Sequence, residues 1–158
     1  MFDTKIETWI TDPSLPELCT ARLFHASCST EERVFVFGGA KSVSCTKGLF
    51  NTIEILDLQK KPDNSLYFSS QWVEIKIESL EPRIFPLMKK LDDSTVLILG
   101  GGRYDNKGLK SDGILFDTEK LKTKQVLKES QFRFISFGGN SCVSKHGTIT
   151  AIVKDVNH

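Results

Sequence analysis

No apolar run in these 158 residues approaches the roughly 18 that a membrane span requires. The opening stretch, MFDTKIETWI, has neither the basic start nor the apolar core of a secretory leader. A cytoplasmic protein with no membrane association is therefore expected. One-sided charge is missing too. With 21 Lys and Arg against 20 Asp and Glu, the formal charge of +1 gives no bulk field for nucleic acid. Residues 1–80 sum to −3 and residues 81–158 to +4, a difference too small to name a partner.

Histidine is scarce: His25, His146 and His158. His25 and Cys28 are three apart in a strand-like stretch, so they face opposite ways and make no metal pair. The four cysteines, Cys19, Cys28, Cys45 and Cys142, show no CxxC spacing, which favours reduced, mostly buried thiols over a zinc site or a disulfide framework. HExxH, GxSxG and P-loop patterns do not occur. Gly100-Gly101-Gly102-Arg103 is not a dinucleotide loop, because no helical pattern follows it. These absences lead us to expect no catalysis, no cofactor and no metal. Helical 3.6 periodicity is absent as well. The lysine-rich Lys120–Lys128 invites a helix, but its β-branched residues favour a strand.

What is present is a repeat. Arg33–Leu58 reads as strand, paired glycines, polar loop, strand, and the order returns at Thr95–Asp117. Val34–Phe37 and Val96–Leu99 are continuous apolar runs, as in strands buried on both faces, and Gly38-Gly39 and Gly100-Gly101 close them. The glycine pairs lie 62 residues apart, Arg22 and Arg83 lie 61 apart, and Trp9 and Trp72 lie 63 apart. Asp3, Asp57 and Asp117 each close an apolar run. At the third place for a tryptophan we expect Lys124 or Gln125. Other expected strands are Ala21–Cys28, Thr52–Leu58, Gln71–Ile77, Glu81–Leu91, Thr123–Lys128 and Thr148–Val153. A further start spans Phe132–Cys142, and Gln59–Ser70 reads as a polar turn.

In these landmarks the chain resembles the kelch-repeat family. Arg22, VFVFGG, EILD and Trp72 match one repeat; Arg83, VLILGG and LFD match a second that lacks the tryptophan. The resemblance implies an all-β fold, a partial kelch-type β-propeller of four-stranded antiparallel blades. Residues 20–77 and 83–128 would be blades, and residues 1–10 and 132–154 complementary half blades. The structural residues are then Trp9, Arg22, Gly38, Gly39, Trp72, Arg83, Gly100 and Gly101. Some kelch-containing proteins are copper oxidases; here the two tyrosines, Tyr67 and Tyr104, have no clustered histidines beside them.

Loops on a rigid scaffold are where binding usually sits. In kelch propellers the loops from strand two to three, and from four to one, share a rim. Here these are Ala40–Phe50, Arg103–Lys110, Thr11–Leu18 and Ser79–Pro82. The resemblance points to Arg103 as a carboxylate clamp, with Tyr104 supplying rigid contact area. Lys41 and Lys47 would add charge and Phe50 an apolar contact. The expected partner is a protein or peptide. A different class also fits, a structural segment that only completes a larger ring. That segment would be part of a longer chain or a head-to-tail homodimer. An enzyme with an unrecognised site is a third class.

Overall fold

Short runs of β-branched and aromatic residues, punctuated by glycine and turn residues, leave little alternative to antiparallel strands. The computed structural model describes residues 2–3, 7–9, 15–45, 47–60, 62, 66–69, 71–103, 110, 112–127, 141–143 and 149–151. Its strands are β1 (Phe2–Asp3), β2 (Thr8–Trp9), β3 (Ala26–Ser29), β4 (Arg33–Phe37), β5 (Thr52–Lys60), β6 (Leu66–Phe68) and β7 (Val73–Lys76). Then come β8 (Leu87–Lys90), β9 (Thr95–Leu99), β10 (Gly113–Asp117), β11 (Lys122–Leu127), β12 (Ser141–Val143) and β13 (Ile149–Ala151). There is no helix among the described residues.

The first sheet runs β3-β4-β5-β7, and β6 pairs with the far end of β5. The second runs β8-β9-β10-β11, and β1–β2 and β12–β13 form separate two-stranded pairs. Every pairing is antiparallel. The protein is thus all-β, with the same sheet built twice. Lys122–Leu127 is a strand, as its β-branched content favours.

Three expected elements differ. Gln59–Ser70 is not one long turn: β5 continues to Lys60 and pairs with β6, Leu58 opposite Phe68. A three-residue strand such as β6 is too short to stand out by alternation. Ala21–Cys28 is not continuous. Phe24 has φ +60°, which breaks the extended backbone, so Leu23 makes only an isolated bridge to Ala40 before β3 begins. Phe85, with φ +52°, interrupts Glu81–Leu91 in the same way. The stretch Phe132–Asn140 lies outside the described residues.

The two sheets pack face to face. Phe35, Phe37, Ile53 and Ile55 of the first meet Val96, Ile98, Ile114 and Phe116 of the second in one buried cluster. Phe35 and Phe116 meet edge to face, ring centroids 5.8 Å apart. The backbones also join at the end where the glycines leave β4 and β9, hereafter the glycine rim. Gly39 N–H donates to the Arg83 carbonyl at 2.8 Å, and Phe85 N–H to the Phe24 carbonyl at 2.9 Å. At the opposite rim Arg33 Nη1 donates to the Thr118 carbonyl at 2.8 Å.

Gly38 is required at this seam twice over. Its φ of +72° suits glycine, and a Cβ there would stand 2.5 Å from the Arg83 carbonyl oxygen. We expect Gly38→Ala to lower stability by about 2–3 kcal/mol in urea unfolding. A loss under about 0.5 kcal/mol would mean that the sheets do not meet there.

Candidate functional site

Strand register aligns the two sheets residue by residue. Phe37 stands opposite Ile53, and Leu99 opposite Gly113, so Thr52 corresponds to Asp112 and Glu54 to Ile114. Counting back along the same strands pairs Phe50 with Lys110. At the centre of each sheet's glycine rim lies a buried arginine.

In the first sheet Arg22 Nη1 donates to the Gly38 carbonyl at 3.2 Å and the Thr52 carbonyl at 3.4 Å. Its Nη2 binds Glu54, and also Glu74 at 3.2 Å. The Glu54 carboxylate accepts from the backbone N–H groups of Cys19 at 2.8 Å and Thr20 at 3.2 Å. The Phe50 ring lies 4.6 Å from the guanidinium carbon, a cation–π contact. In the second sheet Arg83 Nη1 donates to the Gly100 carbonyl at 3.0 Å. Its two terminal nitrogens grip Asp112 at 2.8 and 3.1 Å. Equivalent arginines therefore use carboxylates two positions apart on the same strand face. Sequence reading misses Glu54 and Asp112 as partners because they do not align; the available signal is one polar residue at an inward position of each third strand.

Tryptophan placement separates the two sheets. Ile55 pairs with Val73, so Trp72 falls opposite Leu56, as Trp9 falls opposite Phe2 in β1–β2. In the second sheet that place, opposite Phe116, is taken by Thr123. The expectation of Lys124 or Gln125 is corrected: the turn Thr118–Leu121 sets Asp117 opposite Lys122, and the strand counts on from there. Trp72 Nε1 donates to the Pro16 carbonyl at 3.1 Å, holding the incoming segment to the sheet. Thr123 makes a hydroxyl contact with Ser79 instead.

Beside Thr123 is a cavity of about 350 Å³. Ser79, Glu81, Lys110, Ile114 and Gln125 line it, with the Arg83–Asp112 pair at its side. Lys110 Nζ and the Glu81 carboxylate lie 2.8 Å apart. That hydrogen bond holds the Glu81 carboxyl below its ordinary range, against a smaller opposing effect of burial. A folded-state value below the unfolded one means the contribution exists above the unfolded pKa and is lost as pH falls through the folded one. Half-exposure of Glu81 keeps it small.

The binding residues expected from sequence are distributed around this rim. Lys41 and Lys47 are exposed on the loop after Gly39, where Lys41 N–H donates to the Gly48 carbonyl at 3.0 Å. Val43 at the tip is 74% exposed. Phe50 is half-buried over Arg22 rather than set out with the lysines. Arg103 is half-buried and follows Gly102, whose backbone pairs with Ile84; it also contributes to the lowering of Glu81. Tyr104 lies outside the described residues. Not expected from sequence are Phe24 and Phe85, two residues after each arginine. Both are half-buried at positive φ, and their rings meet across the seam in a tilted contact, centroids 4.6 Å apart.

Among the described residues no group of three or more His, Cys, Asp and Glu side chains is placed to hold a metal ion. The Asp92 carboxylate accepts from Ser94 N–H at 2.9 Å, and Asp117 from Lys120 N–H at 2.8 Å, both as turn residues. Cys19, Cys28 and Cys45 are free thiols, and burial pushes Cys28 up to about 12. Among the described residues no helix is long and apolar enough to cross a membrane.

This geometry defines an all-β protein of repeated antiparallel sheets. No protein-family model matches the chain, and no curated protein matches it. Among solved structures, the one entitled "Structure of YjhT" is similar in fold, with a TM-score of 0.59 at 12% identity. The match covers 86% of this chain and 35% of that one, so this chain spans about a third of its length.

The two arginine sites make a direct comparison possible. Glu54→Leu strips Arg22 of its buried carboxylate, and we expect a loss of about 3 kcal/mol. Adding Thr52→Asp copies the second sheet and should recover about 1 kcal/mol or more in the same unfolding assay. No recovery would show that the two sites are not interchangeable.

Proposed function

We propose that the chain is a segment of a kelch-type β-propeller that works as a non-catalytic module, binding a protein or peptide through the glycine-rim loops. The observation that carries this reading is the division of labour within the rim. Arginines 22 and 83 are buried and spent on structure, whereas Lys41, Lys47 and Val43 stand out on a loop anchored at both ends to the scaffold. Such a loop presents charge and apolar surface at low ordering cost. Arg103, next to the second glycine turn, is the carboxylate clamp of this reading, with Tyr104 beside it. The module needs no cofactor and works in the cytoplasm, where its thiols stay reduced.

A second reading is favoured by one observation. In β1–β2, Phe2 opposite Trp9 repeats the placement of Leu56 opposite Trp72. The pair has the form of the outer half of another sheet, which β12–β13 of a second copy would complete in a head-to-tail ring, or which the rest of a longer chain would complete. Here the chain's work is assembly.

Two measurements separate these readings. Arg103→Ala and Tyr104→Ala should abolish capture of a partner that the wild-type chain retains, with the unfolding midpoint unchanged. Under the assembly reading both variants capture normally, and deleting residues 1–10 changes the native mass.

A further inference from the structure

The second sheet lacks two aromatic residues that the first carries, Phe50 at the glycine rim and Trp72 toward the opposite end of the sheet. Thr123 stands where Trp72 stands, and Lys110 where Phe50 stands. The space beside Thr123 is the cavity of about 350 Å³. In the first sheet Glu54 points into the corresponding space and takes two backbone N–H groups; in the second its counterpart is Ile114, which offers an apolar wall instead.

We propose that this cavity is a socket for a tryptophan side chain of a bound peptide, the partner supplying the indole that the second sheet lacks. The inference rests on the reading of the glycine rim as the binding edge, and it names what that edge recognises there. Three features of the structure support it. First, the first sheet places an indole at the strand position equivalent to Thr123, and its N–H is taken by a backbone carbonyl. Second, the lining matches a ring with one polar edge. Ile114 gives apolar contact, the Ser79 and Thr123 hydroxyls and the Gln125 amide supply acceptors, and Lys110 supplies a cation for the ring face. Third, Lys110 and Asp112 line the same cavity and bond the backbone of the second glycine turn, so a peptide seated there reaches the rim that carries Arg103. The lining charges are already paired, Arg83 with Asp112 and Lys110 with Glu81, so the socket selects a neutral ring over a charged side chain.

The test uses the wild-type chain with two probes, 5-fluoroindole and a Gly-Gly-Trp-Gly-Gly peptide carrying fluorotryptophan, followed by fluorine NMR. Both should bind saturably, the peptide at least as well as free indole, with amide shifts centred on Ser79, Thr123 and Gln125. Thr123→Trp should weaken both by about tenfold or more and raise Tm by about 3 °C. If that variant fails to fold, Ile114→Glu, which copies the first sheet, should weaken both probes similarly. Glu119→Gln, in an exposed turn outside the cavity, should leave probe binding unchanged. Absence of saturable binding, shifts elsewhere on the protein, or full binding by a folded cavity-filling variant would overturn the socket. Binding of indole with exclusion of the peptide would overturn it too. Partner capture that Arg103→Ala abolishes and Ile114→Glu leaves intact would keep the rim reading and overturn the socket alone. Probe binding with capture indifferent to Arg103→Ala would keep the socket and remove the clamp.

Discussion

The structure depends on a buried guanidinium at the start of each repeat. Arg22 and Arg83 tie three things together: the entry of the first strand, the carbonyl of the glycine turn and a carboxylate or hydroxyl on the third strand. Burying such a charge is costly unless its donors are all matched, and a planar fork with several donors matches better than an ammonium would. The glycine turns are shaped around this requirement. Positive φ at Gly38 and Gly100 turns their carbonyls onto the arginines, and the absence of a Cβ at Gly38 lets the neighbouring sheet approach. Phe24 and Phe85 hold the same sparsely populated backbone region without glycine's freedom, at a cost of about 1–3 kcal/mol each. The contact between their rings and the backbone hydrogen bond between them offset that cost at the seam.

Around this shared frame the two sheets have diverged. The first is closed: Phe50 caps the guanidinium, Glu54 satisfies the incoming backbone and Trp72 holds that segment down. The second is open. Its carboxylate sits two residues earlier, its capping ring is a lysine paired to Glu81, and its tryptophan is a threonine. The core beneath is unaffected, because inward positions of β9 and β10 remain apolar and pack against the first sheet. Variation thus lies along the path of the segment that enters each sheet, and the shared apolar core is left in place.

Much of the fold was legible in the sequence, and the reason lies in residues such as Val34–Phe37 and Val96–Leu99. Strands covered on both faces must be apolar throughout, and the paired glycines that end them have few other uses. Strand order and the β10–β11 hairpin followed from the same pattern. Less legible was anything set by register rather than by composition. A phenylalanine with positive φ carries no sequence mark, so Ala21–Cys28 and Glu81–Leu91 read as unbroken. The shift of the carboxylate from Glu54 to Asp112, and the true counterpart of Trp72, emerge only when cross-strand partners are fixed. At the rim, Lys41, Lys47 and Arg103 could be named from loop position, but the engagement of Phe50 with Arg22 could not.

The central claim is that one arginine–carboxylate clasp organises each sheet. It is tested most directly by a double-mutant cycle on Arg83 and Asp112, using Arg83→Met, Asp112→Leu and the double variant in equilibrium unfolding. A shared clasp requires each single variant to strand a buried charge and the double variant to relieve it. The coupling should then be about 2 kcal/mol or more. Single effects that simply add would contradict the claim and leave the repeats held together by apolar packing alone.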